Sequence, residues 1–272
     1  MKFSLTFLVL LLCFPLAQGQ EKAKHKQKGK LYFYWGWNRA QYSDSDINFS
    51  GADYNFKLDN VVAFDRPSEF TLETYFKITN VTQPQYNARI GYFFKDNWDI
   101  SFGVDHMKYV MSENQVVNIN GDINTGSPYD GSYSNDDIAL VNDFLEFEHT
   151  DGLNYINIAI RRFDEIHNKG MFAINLTEGI GIGGMMPRTD TTLLGKERYD
   201  EFHWSGYGLD LMVGLNFTFW EVFFIQPEFK VGWINMPGIR TAISELDGAN
   251  QSFSFTQFNV VFGGNLFHLG KK

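Results

Sequence analysis

Apolar and polar side chains alternate one by one along much of this chain. Between Tyr207 and Phe219 every second residue is apolar (Tyr207, Leu209, Leu211, Val213, Leu215, Phe217, Phe219), whereas Gly208, Asp210, Met212, Gly214, Asn216 and Thr218 are mostly small or polar. A period of two marks a strand with two unlike faces. Ile225, Phe229, Val231 and Trp233 repeat the pattern against Gln226, Glu228, Lys230 and Gly232, and Pro227 within that run calls for an edge or a bulge. Ile156, Ile158 and Ile160 oppose Tyr155, Asn157, Ala159 and Arg161; Trp98, Ile100, Phe102 and Val104 oppose Asp99, Ser101, Gly103 and Asp105. Ala88, Ile90, Tyr92 and Phe94, Val260 and Phe262, and Phe70, Leu72, Thr74 and Phe76 continue the series.

These runs are long. Strands of about 9 to 11 residues cross a bilayer when tilted, and in lipid a sheet must close so that no edge is left unpaired. A soluble sandwich also alternates, but it turns its apolar faces inward. Strand length, aromatics near strand ends, and a second face of Gly and polar residues favour the alternative, an all-β, closed antiparallel transmembrane barrel. Trp35, Trp37, Tyr92, Trp98, Tyr207, Trp220 and Trp233 would then form interfacial girdles. Short connections at 95–98, 165–170 and 220–222 put the long segments 110–152, 187–205 and 237–251 together at the opposite end. The resulting set is about ten strands, at 31–38, 53–63, 69–78, 84–95, 98–109, 153–164, 171–186, 206–219, 222–236 and 252–268. Eight and twelve strands are also compatible with the pattern, since the first two strands and 139–149 are weakly patterned. So few strands leave a narrow interior that side chains can fill, against a wide porin.

The N-terminus fits export. Lys2, the apolar run Leu5 to Leu16 and the small-x-small site Ala17-Gln18-Gly19 read as a signal peptide over 1–19. The run is short for a retained anchor, and bulky Leu12 before Cys13 is unsuited to lipidation. Cleavage removes Cys13, the single cysteine, so no disulfide supports the exported chain. Residues 20–30, with Lys22, Lys24, Lys26, Lys28 and Lys30, form a basic periplasmic tail, and 31–269 the barrel. Across all 272 residues, 23 Lys and Arg against 32 Asp and Glu give a net charge of -9 and argue against a nucleic-acid partner.

The opening strand Tyr32-Phe33-Tyr34-Trp35-Gly36-Trp37-Asn38 and the hairpin Ile90 to Gly103, together with the export signal, resemble the outer-membrane β-barrel proteins of Gram-negative bacteria, and more specifically members from the Bacteroidota. The resemblance covers the mature chain and implies an integral outer-membrane location, periplasmic termini, insertion by the barrel-assembly machinery, and contact with outer-membrane lipids or lipopolysaccharide. The chain departs from the proteobacterial aromatic ending, finishing Phe267-His268-Leu269-Gly270-Lys271-Lys272.

Candidate chemistry is sparse. His149, Asp151 and His106 are the catalytic candidates, because a His beside a carboxylate can act as a general base. Glu148, Asn154 and Lys108 are the matching ligand-binding candidates; Thr150 or Ser112 would have to serve as nucleophile. His106 and Lys108 share the outward register of Val104, above the hydrocarbon or past a bulge, and His149 is expected to approach them. No cofactor is implied, although Asp44, Asp46, Asp136, Asp137, Asp143, Glu146 and Glu148 supply the oxygens that calcium prefers. Gly179 to Gly184 lacks the setting of a nucleotide loop and reads as a slender strand. Glu73, Arg89, Asp99, Arg161, Asp210, Glu228 and Lys230 are assigned to a charge-compensated barrel interior. The expected role is structural, surface-interacting or ligand-binding, with lipid or lipid A hydrolysis and a narrow solute channel as the alternatives.

Overall fold

A computed structural model describes residues 27–69, 71–77 and 84–268. In chain order the elements are β1 (Lys30–Tyr42), β2 (Ser45–Ser50), β3 (Tyr54–Val61), β4 (Ala63–Phe64), α1 (Leu72–Phe76), β5 (Tyr86–Lys95), β6 (Trp98–Met111), β7 (Val116–Ile123), β8 (Gly131–Ala139), β9 (Leu145–Lys169), β10 (Phe172–Pro187), β11 (Asp190–Leu193), β12 (Gly206–Phe219), β13 (Phe223–Arg240) and β14 (Gly248–His268). The signal peptide and most of the basic tail lie outside the described residues.

Eight strands pair in the order β1-β5-β6-β9-β10-β12-β13-β14, and β14 pairs β1 again. The register can be walked around this circuit: Tyr42 faces Phe255, then Gly232, Asp210, Gly181, Ala159, Ser101 and Gly91, which faces Tyr32. The walk therefore returns to β1 ten residues before its start, at Tyr32 instead of Tyr42. Such a stagger requires steeply tilted strands, in the range of about 35–45°. Neighbours around the circuit are antiparallel.

One end of the circuit carries tight connections. Gly170, at φ 62°, and Met171 link β9 to β10, and Trp220 and Glu221, at φ 52° and 61°, turn β12 into β13. Positive φ at successive turn positions matches the twist of the flanking strands. The other end is elaborate: β2 pairs the first residues of β14, and β3, β7 and β8 continue the sheet outward, while β4 pairs β6 and β11 pairs β9. We call these the turn end and the sheet end.

Two of the ten expected strands are not in the circuit. Residues 53–63 instead contain β3 (Tyr54–Val61), part of the sheet-end extension, and the first residue of β4. Residues 69–78 include α1, whose N-cap Thr71 accepts from the Thr74 amide at 3.0 Å. A side chain that satisfies an otherwise unpaired first-turn amide tips a short segment toward helix. Glu73, assigned to the barrel interior, is therefore on the surface, in an i,i+4 ion pair with Lys77 at 2.8 Å. The segment 110–152, read as a loop, instead continues β6 and supplies β7, β8 and the start of β9.

The two faces of the circuit differ as the alternation requires. Outward, every strand exposes large apolar side chains: Phe33, Ile90, Phe102, Ile158, Ile182, Leu211, Phe229 and Phe258 are one from each. Ile182 keeps 60% of its surface exposed, and a contiguous apolar exterior of this kind marks an interaction or membrane surface. The same outward row of β10 carries Glu178, in register with Arg162. Inward, three tiers stack. Tyr32, Tyr34, Phe93, Phe163 and Phe224 pack near the turn end, charged side chains fill the middle, and Ile47, Phe49, Phe56, Leu58, Met107, Tyr109, Phe147 and Phe253 belong to a large apolar core at the sheet end.

Candidate functional site

The middle tier is a hydrogen-bonded network built from alternate residues of neighbouring strands. Arg89, Arg161 and Lys230 face Asp99, Asp105, Asp210 and Glu228, and all seven are buried. Glu228 is the centre: it accepts from Arg161 Nη2 at 2.5 Å, Gln226 Nε2 at 2.6 Å, Asn259 Nδ2 at 3.2 Å and the Tyr34 hydroxyl at 3.5 Å. The Tyr34 hydroxyl in turn accepts from Arg89 Nε at 3.0 Å and Arg161 Nη1 at 3.2 Å. Arg89 also donates to Ser101 Oγ and Asn157 Oδ1. Lys230 ion-pairs Asp105 and lies 3.8 Å from Asp210, which accepts from the Tyr155 hydroxyl at 2.9 Å. The Tyr32 hydroxyl donates to Asp99 at 3.0 Å. Charges withdrawn from water persist when ion-paired or hydrogen-bonded: Arg161, Lys230, Asp105, Asp210 and Glu228 form ion pairs, whereas Arg89 is held by the neutral Tyr34, Ser101 and Asn157 and Asp99 by the Tyr32 hydroxyl.

Six of the seven predicted interior residues are thus brought together, Glu73 being the exception. Asp105, Tyr34 and Asn157 were missed. Asp105 carried a usable signal, since it continues the inward row Asp99, Ser101, Gly103 by one more step. Tyr34 is set among aromatics that also mark membrane interfaces, so its type did not reveal its role. The network leaves little room: a cavity of about 10 Å³ lies beside Arg161, Asp210 and Lys230, space for roughly one water. Toward the turn end a vestibule of about 30 Å³ stops at Tyr32, Phe93, Phe163 and Phe224.

The proposed catalytic histidines do not meet. Tyr109 is in register with His149, and His106 with Asn154, because β6 and β9 shift register between Met107 and Tyr109. His149 points inward, fully buried, between the Tyr109 and Phe147 rings at 5.7 and 5.1 Å. Its Nδ1 hydrogen-bonds Thr189 Oγ1 at 2.9 Å, and its Nε2 has no partner among the described residues. Burial, then the nearby His203, push its pKa down to about 3, so the ring is neutral and has no carboxylate to orient it. His106 points outward, stacked on Tyr86 at 5.0 Å, with Nδ1 2.8 Å from Asn154 Oδ1.

The remaining candidates meet only in small groups, Asn154 with His106 and Glu148 with Thr150. Glu148 ion-pairs Arg66 at 2.8 Å and accepts from Thr150 Oγ1 at 2.7 Å on the outward face. Lys108 Nζ lies 3.4 Å from Ser68 Oγ, and Asn154 Nδ2 donates to the Met186 carbonyl. The side chain of Asp151 lies outside the described residues. The acidic residues considered for calcium are dispersed: Asp46 pairs Lys57, Asp136 accepts the Ser134 amide and Asp137 accepts from Asn118. Among the described residues, no group of three or more His, Cys, Asp or Glu side chains is arranged to hold a metal ion.

No family model matches the chain, and no curated protein matches its sequence. Among solved structures it is similar to the outer membrane protein OprG from Pseudomonas aeruginosa, with 12% identity and a TM-score of 0.43 over 91% of this chain and 100% of that one. It is also similar to Neisserial surface protein A, with 8% identity and a TM-score of 0.35 over 87% and 97%. The attachment invasion locus protein Ail of Yersinia pestis aligns with 12% identity and a TM-score of 0.30 over 86% and 99%. These likenesses are too slight to carry an argument about activity, which must come from the chain itself.

Proposed function

We propose that this chain is an integral outer-membrane protein, a closed eight-stranded transmembrane barrel whose work is structural or surface-interacting. The observation that carries this reading is the outward belt of large apolar side chains on all eight strands of the circuit. No water-soluble fold benefits from leaving such a belt uncovered, whereas a bilayer covers it and a closed circuit leaves no backbone edge in lipid. The turn end, with both termini, faces the periplasm, and the β2-β3-β7-β8 sheet stands at the cell surface. The packed interior weighs against conduction, and the buried, carboxylate-free His149 weighs against hydrolysis through that residue.

Single-cysteine labelling tests both location and orientation. Ser127→Cys, at the sheet end, should react with a membrane-impermeant maleimide on intact cells. Asp96→Cys, at the turn end, should react only after the outer membrane is opened. The folded protein should also migrate faster than the boiled protein on a denaturing gel. A soluble, heat-insensitive protein, or the reverse labelling pattern, would sink this assignment. In planar bilayers the wild-type protein is expected to give no steady conductance.

A further inference from the structure

A row of outward side chains at the sheet end changes from apolar to acidic across four strands. Phe64 of β4 is in register with Val110 of β6, Val110 with Glu148 of β9, and Glu148 with Asp190 of β11. On β6 this row lies past His106 and Lys108, the polar residues that follow Val104 of the belt, so the bilayer that covers the belt does not reach it. Phe64 is nevertheless 46% exposed, and Val62, held to Gln115 by hydrogen bonds at 2.9 and 3.0 Å, is 44% exposed.

A groove of about 210 Å³ opens over the row, with Val110 at its floor and Glu113, Glu146, Glu148 and Asp190 at its rim. Arg66 engages Glu148 and Arg198 engages Asp190. Glu113 and Glu146 have no ion pair among the described residues. The surroundings carry the same sign: the sheet-end segments 43–77, 108–152, 187–205 and 237–252 hold 22 Asp and Glu against 8 Lys and Arg. A surface so charged repels anions and a second copy of itself, and draws cations toward it.

We propose that the groove takes a cationic peptide segment that also carries an apolar side chain. Its ammonium or guanidinium groups pair with Glu113 and Glu146, and its apolar side chain covers Phe64 and Val62. This names a partner for the surface-interacting reading above and rests on it. A bare cation would leave Phe64 and Val62 in water, and a purely apolar partner would strip water from the carboxylates without replacing it. A segment with both features avoids each cost, and the surrounding negative charge speeds its arrival.

Fluorescence anisotropy of the full chain, folded in phosphatidylcholine nanodiscs, tests this with three labelled peptides of equal length: one alternating lysine and leucine, one lysine and serine, and one glutamine and leucine. Empty nanodiscs serve as the blank. The wild type should bind the first at least about fivefold more tightly than either of the others. Glu113→Gln with Glu146→Gln should weaken that binding about fivefold. Asp53→Asn with Glu245→Gln removes the same charge from the exposed β2-β3 and β13-β14 connections and should change it by less than about twofold. Phe64→Ser should erase the advantage of leucine over serine. Equal losses from the two charge-matched pairs would show that the diffuse field alone holds the peptide, and an undiminished leucine preference in Phe64→Ser would remove its apolar anchor; either overturns the inference. So would calcium chloride that displaces the peptide far better than sodium chloride of equal ionic strength, which would give the groove to a divalent ion. If the protein fails to enter nanodiscs or to show heat-sensitive migration, the outer-membrane reading itself has failed. Inserted, heat-sensitive protein without groove-dependent binding defeats only the peptide site.

Discussion

The middle of the circuit and its sheet end are enclosed by the same strands yet filled in opposite ways. Along β6, inward Asp99, Ser101 and Asp105 are followed by Met107, Tyr109 and Met111, so one strand crosses from a charged tier into an apolar one within a few residues. β9 makes the same passage in reverse, from Phe147 and Leu153 to Asn157 and Arg161. The apolar tier can be stabilised by burial alone. The charged tier cannot, because its arginines and carboxylates lose hydration and hold together only through one another. The apolar core is therefore expected to tolerate small changes locally, while the network should answer as a unit.

The largest test of that contrast removes one partner. Glu228→Ala leaves Arg161 buried without its carboxylate and also removes an acceptor from Gln226 and Asn259. The expected loss is about 3–5 kcal/mol, read from the denaturant midpoint of protein folded in lipid vesicles. Replacing both partners, Arg161→Met with Glu228→Leu, should recover most of it, because no uncompensated charge remains. A double variant as unstable as the single one would mean that the pair does not act as a unit.

The legibility of the sequence follows the same division. Within the circuit strands the period of two separates an exposed apolar exterior from a packed interior, and there the inward residues Arg89, Asp99, Arg161, Asp210, Glu228 and Lys230 were readable from alternation. At the sheet end β7 does alternate, Val117, Ile119 and Ile123 being buried opposite Asn118, Asn120 and Asp122, but β8 is polar on both faces apart from Tyr133, Ile138 and Ala139, so the segment looked like loop although it forms two strands. In α1, Thr71 capping overrode an alternation only a few residues long. The histidines were misjudged because the register shift after Met107 sets which residue of β9 faces Tyr109, and nothing local in the sequence encodes it.

The buried His149 offers a pH test confined to the apolar tier. Its folded pKa is about 3, lowered by burial and then by His203, against 6.5 for the free side chain. Below pH 6.5 the unfolded chain takes up a proton that the folded one refuses, so stability is full above that pH and declines as pH falls toward 3. The loss attributable to this residue should reach about 3 kcal/mol near pH 4. His149→Phe removes the term, and comparing its pH–stability curve with the wild type's cancels the titration of the carboxylates common to both. Parallel curves between pH 4 and 7 would show that the ring is hydrated in the folded protein.

Within the same core, Ile119→Val deletes one methylene from a fully buried side chain without leaving a polar group stranded. It should cost about 1 kcal/mol, against the several expected in the charged tier, and both should shift the same cooperative unfolding transition. A change at Ile119 as costly as Glu228→Ala would contradict the idea that the apolar tier yields locally.

The smallest effect belongs outside both tiers. Glu73 and Lys77 pair on the exposed face of α1, with more than half of each side chain in solvent. Water screens such a pair and long side chains lose freedom in making it, so Glu73→Ala should change stability by less than about 0.5 kcal/mol. The substitution separates the two readings of residues 69–78. A Glu73 lining the interior would leave an unpaired Lys77 in the lumen and cost several-fold more, whereas a surface helix barely responds. A denaturation midpoint within error of the wild type, beside the large shift from Glu228→Ala, places Glu73 on the surface and confines the charged tier to the eight strands that enclose it.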